Sequence, residues 1–426
     1  MYEIKAEKNN INKEATQKKP AGMLIAGVIY MVSIGVLYAW TVIRRVIEAE
    51  WDWTSTQSGL PFTLVLICFA TGSLIGGRLQ VKIPARLVGT IGGAMVGTGL
   101  VLSGLAGDSR MMVALCFGVV TGLGIGLGYS SFLPTLLKWY HPSRKGFVSG
   151  WIIGGFGLTA LYLAPLASVL IENFGVQAAF IVLGIFTMAV SIPLAQCIKD
   201  PPEGYIPAEP ANKAKTKSAL PPHVDKTWKE MLATGKFYML FIMFLCSLSI
   251  GQMVVGNIAG IVSLQAGVSD AALLAGLVSF MAISNTGGRI IGGIISDKIG
   301  WANTLIIVFV LHLINMSGFG FYNNLPTLIV GITLAGFCFG TTLSVFPVIT
   351  VDQFGLRNYS SNYGIMYMAF GFAGIAAPVI ASYFLDLSGN YNTVYIICAV
   401  GMGAMILTNL LVRRIIAKEN HISITE

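Results

Sequence analysis

One arginine lies in a stretch of the sequence that is otherwise apolar and rich in glycine. Arg289 stands between two glycine pairs in SNTGGRIIGGIISDKIG, which occupies residues 284–300. A guanidinium group is a planar, permanently charged fork that binds a carboxylate through two parallel hydrogen bonds. The nearest acidic residue along the chain is Asp297, eight positions later, or about 12 Å away if the segment is helical. Arg289 is therefore a candidate anion-binding residue with no acidic neighbour in the sequence.

The composition indicates that this arginine belongs to a membrane protein. Of the 426 residues, 55% are hydrophobic and only 11% are charged, whereas soluble domains carry about 25% charged residues. The formal net charge is +8, but the sequence has no basic stripe interleaved with aromatic residues, so no nucleic-acid partner is expected. The six cysteines include no CxxC pair, and we predict neither a metal site nor a cofactor.

Twelve stretches of about 20 mainly apolar residues are long enough to cross a lipid bilayer as helices. They lie at residues 22–43, 57–79, 86–106, 111–137, 147–171, 176–196, 237–263, 272–296, 302–321, 326–350, 361–385 and 392–412. This pattern predicts an all-α membrane protein with twelve transmembrane helices in two pseudo-symmetric six-helix bundles. The expected divisions are a tail at 1–21, bundles at 22–196 and 237–413, a linker at 197–236 and a tail at 414–426.

The polar linker and the basic residues predict how the chain is oriented. The linker ends in DKTWKEMLATGKFYML, which we expect to form an amphipathic helix on the membrane surface with Trp228, Met231 and Leu232 on one face. The linker, the two tails and the loops on the same side hold 23 of the 27 Lys and Arg residues. The positive-inside rule places that side in the cytoplasm. We therefore predict a multi-pass protein of the plasma or inner membrane with both termini cytoplasmic.

The two predicted bundles share an internal repeat. Three residues of the first bundle recur 213 positions later: Pro134, Arg144 and Pro165 are matched by Pro347, Arg357 and Pro378. GGRLQVKIP, at 76–84, aligns with GGIISDKIG, at 292–300, with an offset of 216. At that offset Arg289 corresponds to Ser73, so the repeated scaffold does not require an arginine there. Two parallel six-helix repeats joined by a basic linker are typical of one large class of secondary transporters.

The absence of acidic residues from the predicted spans leaves Arg289 without a carboxylate partner. All 19 Asp and Glu residues fall in tails, in loops or at span ends. An arginine in the middle of a bilayer costs about 2.5–3.5 kcal/mol on insertion scales, so it usually has a function or a partner. Three interpretations remain open: binding of a substrate anion, snorkelling to the cytoplasmic interface, and structural hydrogen bonding. For anion binding, one positive charge matches a monoanion best.

Several neutral polar residues in the predicted spans could complete an anion site. Tyr38 and Tyr129 could donate hydroxyl hydrogen bonds to a carboxylate, or they could be packed in the protein core. The further polar candidates are Tyr367, Asn362, Gln252 and Asn257, each of which could instead join two helices. His312 is expected to be a packed histidine of the ninth span.

Four longer motifs resemble one transporter family. They are GVLYAWT, YSSFLPTLLKWYHPSRKG, NTGGRIIGGIISDKIG and FGTTLSVFPVITVDQFGLRNYSSNYG, and they are similar to the oxalate/formate antiporter family of the major facilitator superfamily, which is related to the monocarboxylate transporters of animals. The resemblance covers all twelve spans and implies the fold of that superfamily. It also implies that Arg289 binds the substrate carboxylate and that Tyr38 and Tyr129 help to form the cavity.

The departures from the family pattern bear on the substrate. In oxalate transporters of the family a lysine of the eleventh helix supplies a second cation, and here its place is taken by Phe370. Where the family has a tryptophan in the tenth helix, this sequence has Phe339, and where it has a nearby tyrosine, this sequence has Leu343. Leu37 takes the place of a glutamine in the first helix. These replacements favour a monocarboxylate with a small organic tail over oxalate. The animal relatives have an aspartate where this sequence has Asn285, which cannot titrate, so proton symport and anion exchange both remain open.

These observations predict a secondary transporter of small monocarboxylates such as lactate, pyruvate or formate, working by alternating access with or without coupling to H⁺. The expected substrate-binding residues are Arg289, Tyr38, Tyr129, Asn285, Tyr367, Phe370, Phe339 and Leu37. The alternatives are an antiporter of the oxalate/formate type and a carboxylate sensor that does not transport. No enzymatic activity is expected, because the spans contain one histidine and no acid. We expect a monomer in the lipid bilayer.

Overall fold

The computed structural model describes residues 20–202, 205, 207, 225–268 and 270–425, and that part of the chain folds into helices and connecting turns. Its long helices are α1 (Pro20–Glu50), α2 (Ser55–Leu79), α3 (Ala85–Leu105), α4 (Arg110–Trp139), α5 (145–174), α6 (176–195), α7 (Gly235–Ala266), α8 (Ala271–Ile299), α9 (Trp301–Phe319), α10 (Leu325–Phe354), α11 (Tyr359–Ser388) and α12 (Asn392–Thr425).

The helices of the described chain confirm the expected all-α architecture. Ten continuous helical segments are long and apolar enough to cross a membrane. The longest segment, Pro142–Ala195, consists of two helices, α5 and α6, because Gly175 interrupts it with φ 80° and ψ 167°. A positive φ of this size favours glycine. Together with α8, which has 29 residues, these segments give the twelve helices predicted from the apolar stretches.

Most helices extend beyond those apolar stretches. The first apolar stretch ends at residue 43, but α1 continues to Glu50, so Arg44 and Arg45 lie on its last turns. Apolar length reports only the part of a helix that matches the bilayer thickness, whereas backbone hydrogen bonding continues into the polar flanks. The sequence therefore predicts the number of helices better than it predicts where each helix ends.

The two halves, α1–α6 and α7–α12, are packed in the same way. In the first half α2 packs on α4, and in the second half α8 packs on α10 in the equivalent position. The halves meet along two further helix pairs, α2 with α11 and α5 with α8. Contacts along these two pairs must change if one half moves relative to the other.

The halves are joined at the end of the bundle where the chain passes from α6 to α7, called here the linker end. Both carboxylate oxygens of Asp297 on α8 accept hydrogen bonds from the first backbone N–H groups of α5, those of Gly146 and Phe147, each at 2.7 Å. An acceptor of this kind satisfies helix N-terminal donors and complements the helix dipole. Lys145 also forms an ion pair with Asp352 of the second half, at 2.7 Å. The bundle is thus closed at the linker end.

The segment before α7 is the place where the sequence predicts an amphipathic surface helix. A helix does form, but it covers only Trp228–Leu232 and is held by a capping box between Thr227 and Glu230. Met231 is fully buried, so it contacts protein instead of facing lipid. The backbone turns at Ala233 and Thr234, and a new helix starts at Gly235.

Candidate functional site

A cavity of about 140 Å³ lies between the two halves. A single water needs about 10–15 Å³ by the same measure, so this space could hold a small organic molecule. All eight residues predicted to bind substrate line it: Arg289, Tyr38, Tyr129, Asn285, Tyr367, Phe370, Phe339 and Leu37. The rest of the wall is mostly apolar and comes from Phe62, Leu66, Phe156, Ala160, Ala164, Gln252, Val255, Val278, Ser279, Met281 and Ala282.

The guanidinium of Arg289 is buried against the other half of the molecule. The residue is 3% exposed, and its Nη1 donates a hydrogen bond of 2.8 Å to the backbone oxygen of Ile153 on α5. Its Nε is buried and finds no hydrogen-bond acceptor in the described parts of the chain. None of the four ion pairs formed by described residues involves Arg289.

This geometry separates the three interpretations of Arg289. The Ile153 carbonyl keeps the guanidinium within the bundle, which is not the arrangement of a snorkelling side chain. Structural hydrogen bonding accounts for Nη1 but leaves Nε without an acceptor. A buried charged donor with a missing acceptor is costly, so the Nε edge of the fork is a site that an anion can satisfy.

Close backbone packing between α8 and α10 orients the polar face of α8. Asn285 lies one helical turn before Arg289 and therefore on the same face. Gly340 of α10 has no side chain, and a Cβ there would collide with the backbone oxygen of Asn285. The side chain of Asn285 is buried, and its Oδ1 has no hydrogen-bond donor among the described residues. α8 thus presents one charged and one neutral polar group to the cavity.

A break in α1 places Leu37 and Tyr38 at the cavity. The α-helix stops at Gly35, and residues Val36–Ala39 form one turn of 3₁₀ helix before it resumes. The break leaves the carbonyl of Val32 outside the α-helical ladder, and this oxygen accepts hydrogen bonds from Thr159 at 2.8 Å and Tyr162 at 3.1 Å. Interrupted helices whose free backbone groups are satisfied by protein neighbours are common around transporter cavities.

Tyr129 reaches the cavity from α4, which also departs from regular α-helix. Residues Ala114–Thr121 form a π-helical segment two turns before it, a feature found often near functional sites. Tyr129 is 3% exposed, and its hydroxyl has no hydrogen-bond partner within the described chain. Its ring packs edge-on against Phe69 and Phe156, with centroid distances of 5.2 Å and 5.7 Å. The ring is therefore held by packing while the hydroxyl is left free.

The remaining predicted residues form an aromatic wall. On α11 the rings of Tyr367 and Phe370 are stacked, with centroids 5.1 Å apart and an angle of 12°. Phe69 contacts both rings, at 5.3 Å and 5.6 Å. Phe339 fits against Gly251 of α7, where a Cβ would collide with the phenyl ring. The cavity therefore combines one cation and a few neutral donors with a largely apolar lining.

Some polar residues proposed from the sequence do not line the cavity. Asn362 donates to the backbone oxygen of Lys226 at 2.9 Å and so holds the end of the linker. Asn257 donates to the carbonyl of Met253 in its own helix. His312 is fully buried in α9, which packs on α12, as expected for a packed histidine. Leu343 is buried in α10 outside the lining.

The contribution of α5 was missed by reasoning from the sequence. Phe156, Ala160 and Ala164 are spaced four residues apart and form one face of the cavity. α5 is apolar almost all round, so no periodic pattern marks that face. The partner of Arg289, the carbonyl of Ile153, has no sequence signature at all. Among the described residues no group of three or more His, Cys, Asp or Glu side chains could hold a metal ion.

Comparison with known proteins assigns the family. The family model of the Major Facilitator Superfamily matches residues 23–321 and 306–424 of this chain. The chain is 31% identical over 353 residues to an uncharacterized MFS-type transporter, YhjX, of Escherichia coli, with 83% of this chain and 85% of that protein covered. It is 28% identical over 384 residues to the oxalate:formate antiporter of Oxalobacter formigenes, with coverages of 88% and 87%.

More distant similarities agree with this assignment. The human monocarboxylate transporter 12 is 25% identical over 363 residues, which cover 80% of this chain and 69% of that protein. Among solved structures, the transporter FucP in its outward conformation superimposes with a TM-score of 0.68 at 12% identity, covering 92% of this chain and 99% of FucP. At that identity the likeness shows the fold alone. Since the family model spans almost the whole chain, this protein belongs to the major facilitator superfamily and is a multi-pass membrane transporter.

Proposed function

We propose that this transporter carries small monocarboxylates of the lactate, pyruvate and formate class. The observation that carries the proposal is the buried guanidinium of Arg289, which lines the cavity and whose Nε has no acceptor among the described residues. A carboxylate supplies the missing acceptor with matching charge and planar geometry. Two relatives, an oxalate:formate antiporter and a monocarboxylate transporter, act on carboxylates according to their names.

The charge of the cavity favours a monoanion. Arg289 contributes one positive charge, and no Asp, Glu, Lys or second Arg occurs among the described residues that line the space. A dicarboxylate would bring a second negative charge into a mostly apolar cavity, where it would remain uncompensated. Phe370, which also lines the cavity, offers no cation to bind that second charge.

We propose the following arrangement of a bound monocarboxylate. Its carboxylate accepts hydrogen bonds from the Nε edge of Arg289, and the hydroxyl of Tyr129 and the amide of Asn285 provide neutral hydrogen-bonding groups nearby. Tyr38 and Tyr367 complete the polar part of the wall. The organic tail then packs against apolar side chains, those of Leu37, Phe339 and Phe370. In this way the hydrogen bonds orient the anion, and the apolar wall limits the length of the tail.

Transport would proceed by alternating access to this one cavity. The linker end carries most of the basic residues, so we infer that it faces the cytoplasm and that both termini lie there. Because the halves are closed at the linker end, the described conformation would be open or occluded toward the outside. Asn285 does not titrate, and the described cavity residues include no carboxyl group. Coupling could therefore be exchange of one anion for another, or symport in which the proton travels with the substrate.

Exchange of oxalate for formate is the second candidate. The 28% identity to an oxalate:formate antiporter over most of both chains favours it, whereas the single cation of the cavity opposes it. A sensor that binds carboxylates without transporting them would have the same site.

Transport and binding measured on the same purified protein test these functions. Labelled lactate uptake into proteoliposomes would be competed with formate, acetate, pyruvate, lactate and oxalate, with and without a pH gradient. We expect monocarboxylates to compete at least about tenfold better than oxalate, a difference of about 1.4 kcal/mol in binding. Stronger competition by oxalate would favour the antiporter, and binding without any uptake would identify a sensor. Absence of both binding and uptake for every acid would reject the proposed substrate class.

A further inference from the structure

A column of three tyrosines runs along one face of α11 from the cavity toward the linker end. Tyr367 lines the cavity, and Tyr363 and Tyr359 follow at intervals of four residues, the last being the first residue of the helix. Eight residues of helix span about 12 Å. The rings of Tyr359 and Tyr363 are parallel within 9° with centroids 5.4 Å apart, and those of Tyr363 and Tyr367 are 5.7 Å apart.

The hydroxyls of Tyr359 and Tyr363 in this tyrosine column are buried without hydrogen bonds. Tyr359 is 1% exposed and Tyr363 is 4% exposed, and neither hydroxyl has a partner among the described residues. The hydroxyl of Tyr129 lies close to those of Tyr363 and Tyr367, but no well-formed hydrogen bond joins it to a described group. Buried hydroxyls usually find a partner, so a group of unpaired ones indicates a missing ligand or a second conformation in which they are satisfied.

The column lies at a contact that must open during alternating access. α11 packs on α2 of the other half, and a Cβ on Gly364 would lie only 2.9 Å from the Cα of Leu74. Ser360 donates a hydrogen bond of 3.3 Å to Gln80 across the same contact. Ser73 of α2 is also fully buried, and its hydroxyl lacks a partner in the described chain. When the linker end opens, α11 and α2 separate and these hydroxyls become accessible.

At the equivalent contact on the other side of the cavity, the corresponding positions of α5 offer no such donors. There α5 faces α8 with glycines, and Gly146 and Gly150 occupy the repeat positions of Tyr359 and Tyr363, 213 residues earlier. Glycine has no side-chain donor, and backbone N–H groups inside a helix are already used. An anion that leaves Arg289 toward the linker end therefore finds hydrogen-bond donors on the α11 side.

We propose that Tyr363 and Tyr359 form a second carboxylate-binding station, occupied after the substrate leaves Arg289 and before it reaches the linker-end surface. This inference rests on the proposed function, because it requires a carboxylate at Arg289. Neutral hydroxyls suit such a station, since they bind a carboxylate by hydrogen bonds without holding it as strongly as a cation would. The station also explains why the hydroxyls remain unpaired while the linker end is closed.

Removal of single hydroxyls tests the station. Tyr359→Phe, Tyr363→Phe and the double variant keep the stacked rings and delete only the donors. The matched control is Tyr30→Phe, because Tyr30 is fully buried within one half and donates its hydroxyl to the carbonyl of Gly89 at 2.7 Å. Binding of lactate, pyruvate, formate and oxalate to each protein is measured separately by calorimetry. Exchange is then measured in proteoliposomes with a labelled form of whichever acid binds.

The expected result is a split between binding and transport. The column variants should bind the acid within about twofold of wild type but exchange it about tenfold more slowly per hydroxyl, the equivalent of one hydrogen bond to a charged group. Tyr30→Phe should exchange at the wild-type rate. Wild-type exchange by the double variant with normal binding would overturn the station, and so would an equal loss in Tyr30→Phe. If wild type binds none of the four acids, the proposed function fails first and the station with it.

Discussion

The two contacts between the halves are related by the internal repeat but are built from opposite kinds of residue. α5 places glycines against α8, whereas the corresponding positions of α11 carry aromatic residues. At the offset of 213 residues, Gly146, Gly150, Gly154 and Gly157 of α5 correspond to Tyr359, Tyr363, Tyr367 and Phe370 of α11. The facing helices differ as well, because Asn285 and Arg289 of α8 correspond, at an offset of 216, to Phe69 and Ser73 of α2.

The glycine face leaves room for the one cation of the cavity. A Cβ on Gly150 would lie 2.6 Å from the backbone oxygen of Arg289, and one on Gly157 would lie 3.3 Å from its Nη1. Because α5 has no side chains there, α8 can approach closely and Arg289 can reach the carbonyl of Ile153. On the other side the small Ser73 faces an aromatic helix. The comparison shows how a duplicated scaffold can acquire a polar side that holds an anion and an aromatic side that encloses it.

Among changes at the α5–α8 contact, Asp297→Asn should have the largest effect. The variant removes the charge of the carboxylate that accepts two backbone hydrogen bonds from the start of α5. A hydrogen bond to a charged group contributes about 1.5–3 kcal/mol. We expect the linker end to open about ten to a hundred times more often. Hydrogen exchange at the amides of Gly146 and Phe147 in proteoliposomes measures this opening.

The aromatic side provides the control for that change. Val81 occupies the repeat position of Asp297 in the first half and is 69% exposed, so Val81→Asn should leave the same amides unchanged. If Asp297→Asn also leaves their exchange unchanged, the Asp297 contact does not keep the linker end closed.

The closeness of α5 and α8 is tested by Gly150→Ala. One methyl group there meets backbone atoms of α8, and overpacking of this kind costs about 1–3 kcal/mol. We expect a weaker α5–α8 contact and slower carboxylate transport, because Arg289 is displaced with α8. The control is Gly287→Ala on α8, where a Cβ would contact nothing within 4 Å. Equal transport by both variants would show that the bare face of α5 is not required.

A positive charge introduced on the aromatic side should change the substrate specificity of the transporter. Phe370→Lys adds a second cation to the lining of the cavity, and we expect competition by oxalate to improve about tenfold, or about 1.4 kcal/mol. Phe370→Leu is the matched variant, because it removes the ring without adding a charge. Unchanged competition by oxalate in Phe370→Lys would mean that this position does not face the bound substrate.

The smallest expected effect concerns a contact between the linker and the aromatic side. The guanidinium of Arg78, at the end of α2, lies 4.9 Å from the centre of the Trp228 ring and so links the first half to the linker. Cation–π contacts contribute about 0.5–1 kcal/mol at exposed sites. Arg78→Ala should therefore raise linker-end opening only a few-fold, measured by hydrogen exchange near Ser360. Lys229→Ala, which removes a cation over the same ring from within the linker itself, should have no effect on opening.

Much of the architecture and of the cavity could be predicted from the sequence. Helix number follows from the length of apolar stretches, and Arg289 is conspicuous because a charge is so rare in them. The remaining predicted lining residues, such as Phe339 and Phe370, were identified through the motifs of a family. That route works because aligned positions in the same fold occupy the same place.

Other features could not be predicted from the sequence, because they depend on backbone contacts between distant helices. The hydrogen bond from Arg289 ends on the carbonyl of Ile153, which any residue could provide. The break in α1 at Gly35 depends on Thr159 and Tyr162 of another helix, which satisfy the freed carbonyl. The unpaired hydroxyls of Tyr359 and Tyr363 become evident only when every neighbour is known.

The most direct test of the central claim is the affinity of a monocarboxylate for proteins that differ only at Arg289. Calorimetric titration of lactate into wild type, Arg289→Lys and Arg289→Ala separates the fork geometry from the charge. Loss of the charged hydrogen bonds should weaken binding at least about a hundredfold in Arg289→Ala, or about 2.7 kcal/mol, with Arg289→Lys intermediate. A dissociation constant for lactate that is the same in all three proteins would contradict the account.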